Sequence, residues 1–247
     1  MRTGNPTFRS KAFEGLGGVA ESEGVMTVQG TVNRSFILLL LIFISAGWMW
    51  FLSYRLATPE AVVPWLIGGS IGGLIFAIVT IFKKSWAPTT APIYAILEGL
   101  VLGGISSLLE SLYPGIVIQA VGLTFGTLIC LLLAYRAGMI KVTARFRAGV
   151  VAATGGIALV YIVTFLFGLF GVPIPFIHSA GIIGIGFSLF VVVIAALNLV
   201  LDFDFIEKGA ASRIPKYMEW YAAFGLMVTL IWLYLEILRL LSKLRRR

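Results

Sequence analysis

The chain has very little cysteine, histidine or charge. Of its 247 residues, one is cysteine and one is histidine. Cys130 alone cannot form an internal disulfide, and no Cys/His cluster exists for zinc. With His178 as the single histidine, chemistry that needs two, such as the HExxH pattern, is excluded. Charged residues make up 12% of the chain, against about 25% in ordinary soluble domains. No GxSxG elbow and no Walker A loop occurs. No run alternates as the strands of a membrane barrel do.

Apolar side chains fill the space that charge leaves. They are 59% of the residues, and the mean hydropathy is +1.00. A water-soluble fold of this size could not hide so much apolar surface. This excludes a soluble enzyme, a disordered chain and a nucleic-acid-binding module. The 19 basic residues exceed the 11 acidic ones, for a net charge of +8. In a membrane protein that excess reflects basic cytoplasmic loops and contact with anionic lipid.

Residues 1–31 are polar and glycine-rich and read as a cytoplasmic arm, with a short amphipathic piece near Val25–Val28. No apolar stretch follows the first residue, so the arm does not read as a cleavable signal. Residues 32–242 read as a transmembrane domain and 243–247 as a basic tail. A bilayer core needs about 20 helical residues. Seven segments meet this: about 33–54, 61–82, 91–112, 115–135, 148–170, 177–202 and 217–240. The expected fold is therefore all-α, a polytopic seven-helix bundle. Pro92 suits the first turn of the third segment. Gly68, Gly69, Gly72 and Gly73, then Gly99 and Gly103, form small-xxx-small pairs that let helices approach closely. Trp48, Trp50, Trp65, Trp86 and Trp220 fall near segment ends, as aromatic belts do.

Basic residues orient the bundle. With the N-terminus inside, 13 of the 19 lie in inner segments, and before the seventh helix the outer loops hold only Arg55. Arg239, Lys243 and the three terminal arginines are the exception, because seven crossings place them outside. A re-entrant seventh segment would return them inside. Seven crossings is the preferred reading.

Carboxylates inside apolar segments are the informative residues. A charge at the bilayer centre costs about 3 kcal/mol on insertion scales, so such groups pair, bind ions or face the bundle interior. Glu98, Glu110, Asp202 and Glu236 qualify. Glu98 has no basic neighbour in sequence and reads either as a proton or cation ligand or as a neutral carboxyl bonded across a helix interface. Glu110, near Pro114, reads as a helix-end residue. Asp202 is expected to close the sixth helix, with Asn198 four residues earlier on the same face. Asp204 and Glu207 follow at the inner interface. Glu236 has Arg239 three residues later, a local ion pair. His178 reads as an interface residue at the outer end of the sixth helix.

The chain resembles the bacterial branch of the Bax inhibitor / YccA-like family, within the TMBIM superfamily. The likeness rests on Asn5-Pro-Thr-Phe8, Met26-Thr-Val-Gln-Gly-Thr-Val32, Leu97-Glu-Gly-Leu-Val-Leu-Gly-Gly-Ile-Ser106 and Tyr113-Pro-Gly-Ile-Val-Ile-Gln-Ala120. It continues in Asn198-Leu-Val-Leu-Asp-Phe-Asp-Phe-Ile-Glu207, Met218-Glu-Trp-Tyr-Ala-Ala-Phe-Gly225 and Leu233-Tyr-Leu-Glu236. The resemblance implies six helices around a central seventh, in a bacterial inner membrane with the N-terminus cytoplasmic. It implies a pH-sensitive calcium leak rather than an enzyme, with no cofactor and no catalytic residue. Its sensing pair would be Asp202 and Glu236, which could also hold calcium, with Asn198, Asp204 and Glu98 as further ion-sensing positions. Residues 61–82 carry no basic residue, so an arginine latch on the second helix, present in some relatives, is missing here. A seventh helix entering at Tyr217 would carry Glu236 about 28 Å along its axis.

Two close carboxylates in low dielectric cannot both ionise cheaply and tend to share a proton. Calcium, which takes oxygen ligands, would compete with that proton. A second reading is a non-transporting regulator of membrane proteostasis, engaging a membrane-bound ATP-dependent protease through the arm. An intramembrane enzyme is disfavoured, because Asp202 and Asp204 share one segment and point to different sides.

Overall fold

The computed structural model describes residues 24–55, 62–170 and 181–246. These residues form seven long helices: α1 (Val28–Arg55), α2 (Val63–Phe82), α3 (Ala87–Leu112), α4 (Ile116–Arg136), α5 (Ala144–Leu169), α6 (Ile182–Ala211) and α7 (Met218–Arg245). A 3₁₀ turn, Lys84–Trp86, leads into α3. All seven are long and apolar enough to cross a membrane. The shortest, α2, has 20 residues, which at 1.5 Å per residue spans about 30 Å, the thickness of a bilayer core. Most of the arm, and His178, fall outside the described residues.

Several boundaries differ from the sequence reading for local reasons. The third helix begins at Ala87 rather than near 91, because Pro88 takes the first turn, where a missing N–H costs nothing. Pro92 then lies inside the helix. It forgoes only a bond to a carbonyl of that same first turn. The sixth helix does not close at Asp202 but runs nine residues further, to Ala211. Its added turns bury Ile206 among Met26, Ile214 and Met218. The first helix starts at Val28, where Thr27 caps it by accepting from Gly30 N at 2.9 Å.

α7 is the central element. It packs against α1, α3, α4 and α6, whereas α2 lies on α3 and α5 on α6. In its most apolar stretch 56% of residues are buried, compared with 11% in α5. Its Phe224, Met227, Leu230 and Leu233 meet Leu38, Tyr94 and Leu199 in the main core. The closest backbone approach is between α1 and α3. Any side chain at Gly103 would run into the backbone of Ala46. That contact fulfils the small-residue pattern in the sequence.

The bundle has a proximal face, where α1 begins, and an opposite distal face. On the proximal face Met26 N donates to Ile214 O at 2.8 Å, and Lys216 N donates to Gly24 O at 3.2 Å. This ties the end of the arm to the α6–α7 connection. On the distal face Arg245 donates to Pro114 O at 2.8 Å and Arg246 to the Tyr113 hydroxyl at 3.1 Å, both on the α3–α4 turn. α7 therefore runs from one face of the bundle to the other, and its last turn does not return to the starting face.

Candidate functional site

The polar residues inside the bundle gather at two levels, with an apolar layer between them. The proximal level surrounds a cavity of about 880 Å³. α2 and α3 form one wall, α5 and α6 the other, and α7 the back. Asp202 lies nine residues from the end of α6 and Glu98 eleven from the start of α3. Both therefore stand about 14–17 Å in from the proximal helix ends.

Each carboxylate is held by its neighbours' size as much as by bonds. Asp202 packs over Gly225, and the Thr229 hydroxyl of α7 faces its carboxylate. Asp202 Oδ2 is enclosed and has no hydrogen-bond partner among the described residues. Glu98, on the opposite wall, lies with its carboxyl over Gly73. A Cβ there would come within 2.8 Å of its Oε1. Asn198 donates to Thr154 Oγ1 and to Ile194 O, both at 2.8 Å. Both amide hydrogens are thus used, and the side-chain carbonyl is what Asn198 offers the cavity. Asp204 faces away from this group. It binds Arg147 and, at 2.7 Å, Lys208, the two cations at the mouth. Asp202 and Asp204 point to different sides, as their spacing predicts.

The distal level centres on Glu236, which is 1% exposed. Tyr161 of α5 donates to its Oε1 at 2.8 Å, and Arg239 donates to the same oxygen at 2.7 Å and to the Tyr161 hydroxyl. Glu236 Oε2 has no hydrogen-bond partner among the described residues. Two turns beyond Glu236, Lys243 donates to Ser188 Oγ at 2.8 Å and to Gly184 O at 3.0 Å, both on α6.

The structure does not bring Asp202 and Glu236 together. Asp202 sits against Gly225 and Thr229, and Glu236 lies seven residues beyond Thr229 on α7. At 1.5 Å per residue this is about 10 Å of separation along the axis. The reason is the uninterrupted α7, which carries Glu236 toward the distal side, as the distance from Tyr217 implied. The carboxylate that shares a cavity with Asp202 is Glu98. Arg239, from α7 itself, occupies Glu236 where some relatives use the second helix.

Three other acidic residues among those described make hydrogen bonds between elements or cap a helix. Glu110 accepts from Gly115 N at 2.6 Å and Val117 N at 3.0 Å, capping the start of α4. That is the helix-end role expected of it. Glu207 accepts from the Tyr135 hydroxyl at 2.5 Å. Glu219, which the sequence reading passed over, is buried at the proximal face, where it accepts from Thr27 N and Oγ1. Thr154, Tyr161, Thr229 and Lys243 were also missed. Thr154 and Tyr161 are seven residues apart and so share a face of α5, a signal the sequence carries. Among the described residues no group of three or more His, Cys, Asp or Glu could hold a metal.

No curated protein and no solved structure matches the chain. A family model does, over residues 5–246, and its description is Bax inhibitor 1 like. With nearly the whole chain covered and seven helices long and apolar enough to span a membrane, α7 at their centre, the protein belongs to the Bax inhibitor 1 like family.

Proposed function

We propose that the protein is a pH-sensitive cation leak, with calcium as the principal ion, across a bacterial cytoplasmic membrane whose inner side is the proximal face. The observation that carries this reading is Asp202, a buried carboxylate on a cavity wall, one of whose oxygens has no hydrogen-bond partner among the described residues. Glu98, the Asn198 carbonyl and the Thr229 hydroxyl supply further oxygens around the same cavity. Calcium takes 6–8 oxygen ligands, so water would complete its shell. Two carboxylates make a site of passage rather than a closed chelate. A protonated carboxyl cannot ligate the ion, so protons compete with calcium and binding weakens as pH falls. This pair, Glu98 with Asp202, takes the place of Asp202 with Glu236.

The test is calcium flux in proteoliposomes between about pH 6 and 8, where buried carboxylates can titrate, comparing wild type with Asp202→Asn and Glu98→Gln. Flux that varies with pH in the wild type and loses that dependence in Asp202→Asn is the expected result. Equal flux and pH response in all three would overturn the reading. The second reading, a regulator engaged through the arm, draws on the pinning of Gly24–Thr27 beside the α6–α7 connection. It predicts no flux from folded protein at any pH.

A further inference from the structure

Three helices carry the same sequence of layers. From the proximal side, α5 presents Thr154, Ile157 and Tyr161, while α6, running the other way, presents Asn198, Ile194 and, further out at the level of Lys243, Ser188. α7 presents Thr229, Trp232 and Glu236. The polar members bond to one another within their own levels: Asn198 to Thr154, Tyr161 to Glu236 and Lys243 to Ser188. The middle members pack together as a separate apolar cluster. Ile157 and Ile194 are buried in it beside Val191, and Trp232 lies against them.

We propose that the Ile157–Ile194–Trp232 layer is the barrier to ion passage, dividing one polar path into a proximal station at Asp202 and a distal station at Glu236. Seven residues separate Thr154 from Tyr161 and Thr229 from Glu236, about 10 Å on both helices. A hydrogen bond reaches about 3 Å, so no direct relay joins the stations. Water would have to enter the layer, and a narrow apolar constriction stays dry until it widens or becomes polar. Both carboxylates that lack a partner at one oxygen, Asp202 Oδ2 and Glu236 Oε2, flank this layer. The groups facing Glu236 are Tyr161 from α5 and Arg239 from α7, with Lys243 beyond them. The distal station is therefore closed by Arg239 as well, and the dry layer is the barrier that an ion from Asp202 meets first.

This inference rests on the leak reading for its flux but not for its water access, so two readouts separate them. In a Cys130→Ser background, Ser188→Cys places a thiol beyond the layer. A small charged methanethiosulfonate reagent is added from the proximal side, with and without Ile157→Ser or Ile194→Ser, and calcium flux is measured on the same preparations. The expected result is at least tenfold faster modification and raised flux with either serine. Faster modification without flux in any protein would support the barrier and overturn the leak. Unchanged modification and flux in both serine variants, each eluting as folded protein, would overturn the barrier. The two variants are independent, so misfolding of one leaves the other as the test.

Discussion

Glu236 and Arg239 are three residues apart on α7, and their environments differ sharply. The carboxylate is almost wholly enclosed, while the Arg239 side chain is 39% exposed. Removing the cation leaves an uncompensated buried charge, whereas removing the anion leaves a cation that can reach solvent or headgroups. Arg239→Ala should therefore cost about 2–3 kcal/mol. Glu236→Gln should cost less, about 1 kcal/mol, since the amide oxygen still accepts from Tyr161. The double variant should resemble Glu236→Gln alone. Reversible denaturation in mixed micelles, arranged as a double-mutant cycle, measures the coupling, and simply additive costs would show the pair to be independent. At this scale the sequence was half legible. Carboxylates in apolar runs stand out because charge in a membrane is expensive. Their partners did not stand out, because a threonine or tyrosine in such a run costs little and says nothing alone. Whether Asp202 meets Glu236 or Glu98 depends on the rotation and height of helices that only packing decides.

Helices are where the sequence spoke most clearly, because a 20-residue apolar run has one stable solution in lipid. Each of the seven expected segments became a helix. The errors lay at the helix ends, where hydropathy falls and stops reporting the helix. α6 gains its last turns from contacts with Ile214, just beyond its end, and with Met26, far away in sequence. Association of α1 with α3 has no hydrophobic driving force in lipid and depends on close fit. Gly103→Val drives a branched side chain into the backbone of Ala46, which cannot yield as a side-chain tip can. A loss of at least about 3 kcal/mol, the upper end of ordinary overpacking, is expected. Gly126→Val on α4 is the control, since nothing lies within 4 Å of a Cβ there. Size-exclusion profiles after mild heating should show aggregation of the first variant and none of the second. Equal behaviour would mean that the α1–α3 contact is not limiting.

The whole molecule sets one charge rule against another. Counting loops places the proximal face inside, yet seven crossings then export a basic tail. The conflict eases once the tail's partners are known. Arg239 is held by Glu236, Lys243 by Ser188 and Gly184, and Arg245 and Arg246 by the α3–α4 turn. These charges are docked on protein rather than left free near the headgroups. They are also the last to be made, after six helices have fixed the orientation. Only the Arg239–Glu236 pair could be read from the sequence, because the partners of Lys243 lie more than fifty residues away along the chain and those of Arg245 and Arg246 more than a hundred. The expected topology is therefore N-terminus inside and tail outside. Cysteines at two exposed positions test it, Lys216→Cys on the proximal face and Arg246→Cys on the distal face, each in Cys130→Ser. A membrane-impermeant thiol reagent added to intact cells should label position 246 and spare position 216 until the membrane is permeabilised. The reverse pattern would invert the protein and with it the side on which the Asp202 cavity opens. Labelling of both positions from the same side would mean that α7 does not cross.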